Sequence, residues 1–334
     1  MSDLDINNFN KILRTFDISA NCVNYKAIDN YFFYDLELRP QAKVKDIQRF
    51  ADEISLSLKS CSKPNIRILH QEGIVRLEFA TSRQKRLDLF DYFINDNIPK
   101  GELPCLLGQA LNGERVWMDL SQNPHMIISG TTGSGKSTLL HTIIANLFNY
   151  NKVKLFLIDP KNVEFLEYDK KINNDVQVSY SYHDSLVLLD QLIDTMETRY
   201  SLLRESNIKS LPYIVLIIDE FGDLILQDSN KEFYTKLCKL AQKCRAAKMN
   251  IIISTQRPSV NIINGAIKAN FPARISCKVA SHIDSKIILD ATGAENLMGH
   301  GDALLKDNSR SMERFQIAYT NPEQVCSYFG DVNE

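Results

Sequence analysis

The sequence predicts an α/β fold with a mainly parallel central sheet, preceded by a small α/β subdomain. Three observations predict it. From His125 onward, short apolar runs alternate with long segments that carry apolar residues at helical spacing. The first of these runs leads through a glycine-rich loop into an amphipathic segment. A later run, Tyr213 to Ile218, ends in two adjacent carboxylates, Asp219 and Glu220. Continuous apolar strands separated by helices suit a parallel sheet covered on both faces.

The elements follow in chain order. Tyr31 to Leu38 reads as a strand closed by Pro40. Val44, Ile47, Phe50, Ala51, Ile54 and Leu58 recur at helical spacing, which predicts one helix. Ile66–Leu69 and Ile74–Phe79 form a strand pair around Glu72-Gly73. The charged stretch 81–104, broken by Pro99, Gly101 and Pro104, is a connector with a short helix at Leu87–Ile94. Short strands at Cys105–Leu107 and Val116–Leu120 flank Asn112-Gly113. The buried strands are Met126–Ser129, Val153–Ile158, Ile214–Ile218, Ile251–Ser254 and Ile275–Val279, and a helical segment, Pro322–Phe329, comes near the end. Residues 1–104 are thus assigned to the subdomain and connector, and residues 105–334 to the larger unit.

The net charge of −2 argues against a surface coated for nucleic acid, but leaves room for a local basic channel. Seven scattered cysteines with no C-x-x-C pair fit reduced thiols in a cytoplasmic protein, and no Cys/His spacing suggests zinc. The first ten residues carry no apolar signal core, and no run approaches the roughly 20 apolar residues of a membrane helix.

The loop Gly130-Thr131-Thr132-Gly133-Ser134-Gly135-Lys136-Ser137 fits G-x-x-x-x-G-K-[ST], set between the strand Met126–Ser129 and the striped helix. It predicts a P-loop NTPase of the RecA-like kind. Backbone N–H groups of residues 130–138, Thr138 included, cradle phosphate, and the helix N-terminus adds positive potential. Lys136 reaches the β- and γ-phosphates of ATP, and Ser137 supplies a hydroxyl to Mg²⁺. Asp219 is expected to orient the Mg²⁺ shell, and Glu220 to polarise the attacking water. Buried carboxylates at a strand end are costly unless a metal and a water use them. Gln256 ends the next strand, on the edge where a parallel sheet binds ligands, and is expected to reach the γ-phosphate or the lytic water.

With these residues in place, the chain resembles the FtsK/SpoIIIE family of DNA translocases, within the wider HerA–FtsK group. Four stretches carry the likeness: His125 to Ser137; Leu157-Ile158-Asp159-Pro160-Lys161; Pro212 to Phe221 with Asp223-Leu224; and Leu240 to Asp302. The last includes Ser254-Thr255-Gln256-Arg257-Pro258, Ile283-Asp284-Ser285-Lys286 and Gly299-His300-Gly301-Asp302. A fainter likeness upstream, at Val23-Asn24-Tyr25, Phe33 to Leu58 and Leu107-Gly108-Gln109, matches the family's α subdomain. The expectation is a motor core without the membrane domain, linker and winged-helix γ domain of the cell-division members.

The resemblance implies a homo-hexameric ring that threads double-stranded DNA and hydrolyses ATP between subunits. Arg274 matches the family's trans-acting finger position, with Arg245 and Arg257 as competitors. Lys286 matches a basic pore position. The basic loop from Lys306 to Arg314 joins two strands, and its Lys306, Arg310 and Arg314 are expected to line the channel, since phosphate contacts need Lys or Arg. Six copies would concentrate that charge on the axis. The alternatives are a coupling ATPase for conjugative or phage DNA, a polypeptide-secretion-type P-loop ATPase, and a module that uses ATP only to assemble.

Overall fold

The computed structural model describes residues 2–28, 31–40, 42–60, 63–69, 72–80, 87–95, 98–150, 153–171, 175–205, 211–307 and 312–330. It contains two sheets. The first begins with helix α1 (Ser2–Thr15), strands β1 (Ala20–Ile28) and β2 (Tyr31–Leu38), helices α2 (Val44–Arg49) and α3 (Ala51–Ser57), and strands β3 (Asn65–Leu69) and β4 (Ile74–Ala80). Its order is β1-β2-β4-β3, with every neighbouring pair antiparallel. The helices cover one face, where Phe9, Leu13, Ile47 and Ile54 pack on Leu36, Leu77 and Phe79. The single helix predicted from Val44 to Leu58 is interrupted at Phe50, whose backbone leaves the helical region (φ −101°, ψ 18°). Its ring stacks on Phe16 at 5.5 Å, so docking onto the end of α1 accompanies the break.

After α4 (Leu89–Asn95) the chain enters the second sheet with β5 (Pro104–Ala110) and β6 (Arg115–Asp119), the predicted hairpin around Asn112-Gly113. The series continues through β7 (His125–Ser129), α5 (Lys136–Phe148), β8 (Val153–Ile158), α6 (Leu166–Lys171), β9 (Val176–Ser179), α7 (Tyr182–Glu205) and β10 (Tyr213–Ile218). It closes with α8 (Phe221–Gln227), α9 (Glu232–Lys243), β11 (Met249–Thr255), α10 (Gly265–Asn270), β12 (Ala273–Cys277), α11 (His282–Leu289), β13 (Asp302–Lys306), β14 (Glu313–Ile317) and α12 (Pro322–Gly330).

The order is β6-β5-β14-β13-β12-β7-β11-β10-β8-β9. From β12 to β9 every pairing is parallel, and from β6 to β12 every pairing is antiparallel. The parallel half is apolar on both faces because helices cover both. Met126, Ile128, Val215 and Ile217 share a core with Leu139, Leu140, Ile143 and Ile144 of α5. The alternate residues Ile127, Ile214, Leu216 and Ile218 share the other core with α7 and α9.

The sheets meet through polar groups. Tyr31 of β2 donates its hydroxyl proton to Asp302 Oδ1 (2.9 Å), and Arg314 Nη1 donates to the Glu78 carbonyl of β4 (3.0 Å).

Candidate active site

Strand order determines which side chains converge. With β7, β11, β10 and β8 adjacent and parallel, their C-terminal ends lie on one edge. That edge presents the glycine loop after β7, Gln256 after β11, Asp219-Glu220 after β10 and Asp159 after β8. Beside it lies a cavity of about 490 Å³ lined by Thr131, Thr132, Gly133, Gly135, Lys136, Ser137 and Thr138, with Glu164, Gln256 and Tyr319.

The loop is held from both sides. Gly130 N donates to Thr255 O (3.3 Å) and Thr131 N to Lys278 O (2.9 Å). The Gly299–Gly301 turn packs against it, with His300 N on Gly133 O (3.1 Å) and Gly301 N on Ser134 O (2.8 Å). Glycine is required at 135, where φ is +106° and an added Cβ would lie 2.5 Å from Gly301 N.

Lys136 is buried, and its ammonium donates to Asp219 Oδ1 and to Ser254 Oγ (3.1 Å). Ser254 in turn donates to the same carboxylate oxygen (2.9 Å). The hydroxyl of Ser137 and the carboxylate of Asp219 are hard oxygen donors of the type Mg²⁺ takes. Gln256 Oε1 accepts from Thr132 Oγ1 at 3.1 Å, so the amide is tied directly to the phosphate loop. Glu220 is 1 % exposed and has left-handed backbone (φ 49°). Its carboxylate accepts from Thr255 Oγ1 (2.9 Å), Gln256 N (3.2 Å) and Lys161 Nζ (3.4 Å). Burial weakens the Lys161 ammonium, but Glu220 and Asp223 outweigh it and hold its pKa above the usual lysine range.

The remaining sequence-predicted residues lie elsewhere. Arg274 sits on β12 opposite Ile127, two residues before Ser276 pairs with Ser129, and does not line the cavity at this chain's own phosphate loop. Its guanidinium binds Asp290 and the carbonyls of Ile288 (3.2 Å) and Lys268 (3.3 Å). Asp290 also meets Lys268 (2.8 Å) and Lys306 (3.7 Å). Burial alone would raise its carboxyl pKa, but the Lys268 and Arg274 hydrogen bonds prevail and bring it to about 2. Lys286 is exposed on α11; Arg245 and Arg257 are exposed as well. Lys306 ends β13 rather than standing in a loop, and its ammonium donates to Leu289 O (2.6 Å). Arg310 lies outside the described residues.

Arg314 requires a correction. Expected to line a channel, it is 1 % exposed on β14 and forms a bidentate pair with Asp302 (2.9 and 2.7 Å). The reason is tertiary: β14 runs beneath the small sheet, so the side chain points into the joint between the sheets rather than toward solvent.

Three residues with no role assigned from sequence also stand at the edge. Asp159 is fully buried and accepts from the backbone N–H groups of Lys161, Val163, Glu164 and Phe165. Lys161 reaches Glu220, and Glu164 reaches Ser137. For Asp159 and Lys161 the available signal was their position just after a buried strand, on the ligand-binding edge; Glu164, six residues past the end of β8, had none.

A glycine loop on a parallel-sheet edge, its lysine paired with an acid at the end of β10, and a second acid next to that one define a P-loop ATPase fold. The sequence model described as the FtsK/SpoIIIE family matches residues 97–211 and 205–260. The chain is 34 % identical over 354 residues to the DNA translocase FtsK of Chlamydia pneumoniae, covering 96 % of this chain and 43 % of that protein. It is 34 % identical over 320 residues to the DNA translocase SftA of Bacillus subtilis, covering 89 % and 33 %. It therefore spans less than half the length of these relatives. Among solved structures, the pCW3 conjugation coupling protein TcpA, in a monomer form with ATPγS, aligns at TM-score 0.69 and 22 % identity over 98 % of this chain and 99 % of that one. The cytoplasmic domain of the Thermomonospora curvata type VII secretion ATPase EccC aligns at TM-score 0.61 and 20 % identity over 71 % and 32 %. The chain belongs to the FtsK/SpoIIIE family. Among the described residues, no helix is long and apolar enough to cross a membrane.

Proposed function

We propose that this chain is an ATP-dependent double-stranded DNA translocase, a hexameric ring motor that hydrolyses ATP at subunit interfaces. The observation that carries the reading is the single sheet edge on which Lys136, Asp219, Glu220 and Gln256 converge around the glycine loop. The kinship with proteins named DNA translocases supports DNA as the track.

The residues divide the chemistry. Backbone N–H groups of Gly130 to Thr138 and the Lys136 ammonium bind the β- and γ-phosphates. Ser137 and Asp219 would hold Mg²⁺, which would offset charge on the phosphate oxygens. Glu220 takes a proton from the attacking water as the new O–P bond forms and the β–γ bridge breaks, and Gln256 orients that water or the γ-phosphate. Arg274 acts in trans, which fits its place on β12 outside the cavity at its own loop; Arg245 and Arg257 compete for the role. Lys286, exposed on α11, Lys306 and Arg310 are the proposed DNA contacts.

ATP turnover is expected to rise several-fold with long duplex DNA. In mixtures, Arg274→Ala subunits should recover part of the activity lost by Lys136→Ala subunits, because each type completes the other's site. Turnover stimulated by a protein partner and never by DNA would favour the secretion-type alternative. Absence of recovery at any mixing ratio would remove Arg274 from the trans role.

A further inference from the structure

Glu164 is the acidic side chain at the cavity that the reaction described above does not use. Its placement is built in from β8. Four backbone N–H groups converge on the buried Asp159 carboxylate and knot residues 161–165 into a tight loop; Glu164's own N–H donates at 2.8 Å. Phe165, fully buried, anchors the next position. The knot delivers the Glu164 carboxylate to the first turn of α5, where both oxygens are engaged. Oε1 accepts from Ser137 Oγ at 2.8 Å, and Oε2 lies 3.4 Å from Nε2 of His141, one turn further along α5. His141 is itself oriented by the Tyr168 hydroxyl (2.9 Å). A glutamate carboxylate is ordinarily an anion at neutral pH, and here one oxygen accepts from a hydroxyl and the other faces an imidazole nitrogen.

We propose that Glu164 makes nucleotide affinity conditional on the divalent metal. This rests on the reading of the cavity as an ATP site. Glu164 is a fixed negative charge beside the hydroxyl that serves Mg²⁺, in the cavity that takes the polyphosphate. It repels metal-free ATP and favours the metal complex, and it orients the Ser137 hydroxyl by accepting its hydrogen bond. Glu164 is therefore a positioning residue, and its effect appears in binding before any turnover.

The test is equilibrium dialysis of ATP against the full chain, in excess EDTA and in excess Mg²⁺, for wild type, Glu164→Gln and Glu164→Asp. Glutamine can still accept from Ser137 but carries no charge, whereas aspartate keeps the charge. Glu164→Gln is expected to bind metal-free ATP about tenfold more tightly than wild type, and the ratio of Mg²⁺ to EDTA affinity should fall by at least as much. Glu164→Asp should keep most of the wild-type ratio. An unchanged ratio in a Glu164→Gln protein with wild-type thermal stability would overturn the proposal. A Glu164→Asp ratio as low as that of glutamine would also overturn it, because shape rather than charge would then be responsible. A wild-type protein that bound ATP in neither condition would overturn the ATP-site reading itself, and this proposal with it.

Discussion

Two buried ion pairs lie in different parts of the molecule, and they differ in how firmly the cation is fixed. Lys136–Asp219 sits at the C-terminal edge of the parallel strands. A flexible ammonium there meets one carboxylate and one hydroxyl, beside a cavity. Arg314–Asp302 sits in the joint between the two sheets. Its planar guanidinium spends two N–H groups on the carboxylate, a third on the Glu78 carbonyl, and lies 5.0 Å from the centre of the Tyr31 ring. A point charge on a flexible stem can change partners, whereas a forked cation with three bonds cannot do so without breaking all of them. Under the proposed ATP-site reading, the first pair exchanges its carboxylate for a phosphate, while the second stays closed.

The largest expected effect breaks the permanent pair. Arg314→Met leaves the buried Asp302 without its counter-ion, with only the Tyr31 hydroxyl and the Met298 N–H still donating, and should cost about 3–5 kcal/mol in urea unfolding. Adding Asp302→Leu should recover part of that loss, since the orphaned charge is gone. Wild-type stability in Arg314→Met would show that the joint does not depend on the pair.

The exchangeable pair should respond in the opposite way. Lys136→Met is expected to weaken ATP binding about a hundredfold, because charge-assisted bonds to phosphate are lost. Its unfolding free energy should fall by less than that of Arg314→Met, since Lys136 lines the cavity and its removal lets water reach the Asp219 carboxylate, which also keeps the Ser254 hydroxyl. Calorimetric titration and urea unfolding of one sample give both numbers, and a stability loss as large as that of Arg314→Met would erase the distinction.

The smallest effect concerns the other end of β7, where a titratable group is buried without a counter-ion. Burial lowers the His125 pKa from 6.5 to about 4. Between those values the unfolded chain binds more protons than the folded one, so stability is full above 6.5 and declines as pH falls toward about 4. By about pH 5.5 the loss should reach about 1 kcal/mol, and His125→Gln should remove that slope from the stability–pH curve. An unchanged slope would assign the acid loss to other groups.

Legibility in the sequence followed the range of the interactions. The glycine loop and the Asp219-Glu220 strand end could be read because each is contiguous, and Gln256 because parallel strands share an edge. The antiparallel β13–β14 hairpin was visible as two strands, but its charge was misjudged. Arg314 owes its burial to Tyr31 and Glu78, more than 230 residues away in the chain. Strand β1 escaped notice because its pairing shifts register between Cys22 and Asn24, which interrupts the alternation that marks a half-buried strand. Glu164 escaped for a related reason: its link to Ser137 depends on the Asp159 knot, and no spacing rule encodes that knot.

Whether the exchangeable pair drives movement along DNA is tested most directly by displacement of a labelled third strand from a duplex. With ATP and Mg²⁺ the wild-type chain should strip the strand at a rate that depends on the length of duplex leading to it. Glu220→Gln should bind ATP and leave the strand in place. ATP turnover without displacement on any length of duplex, or displacement by Glu220→Gln as fast as by wild type, would contradict the account.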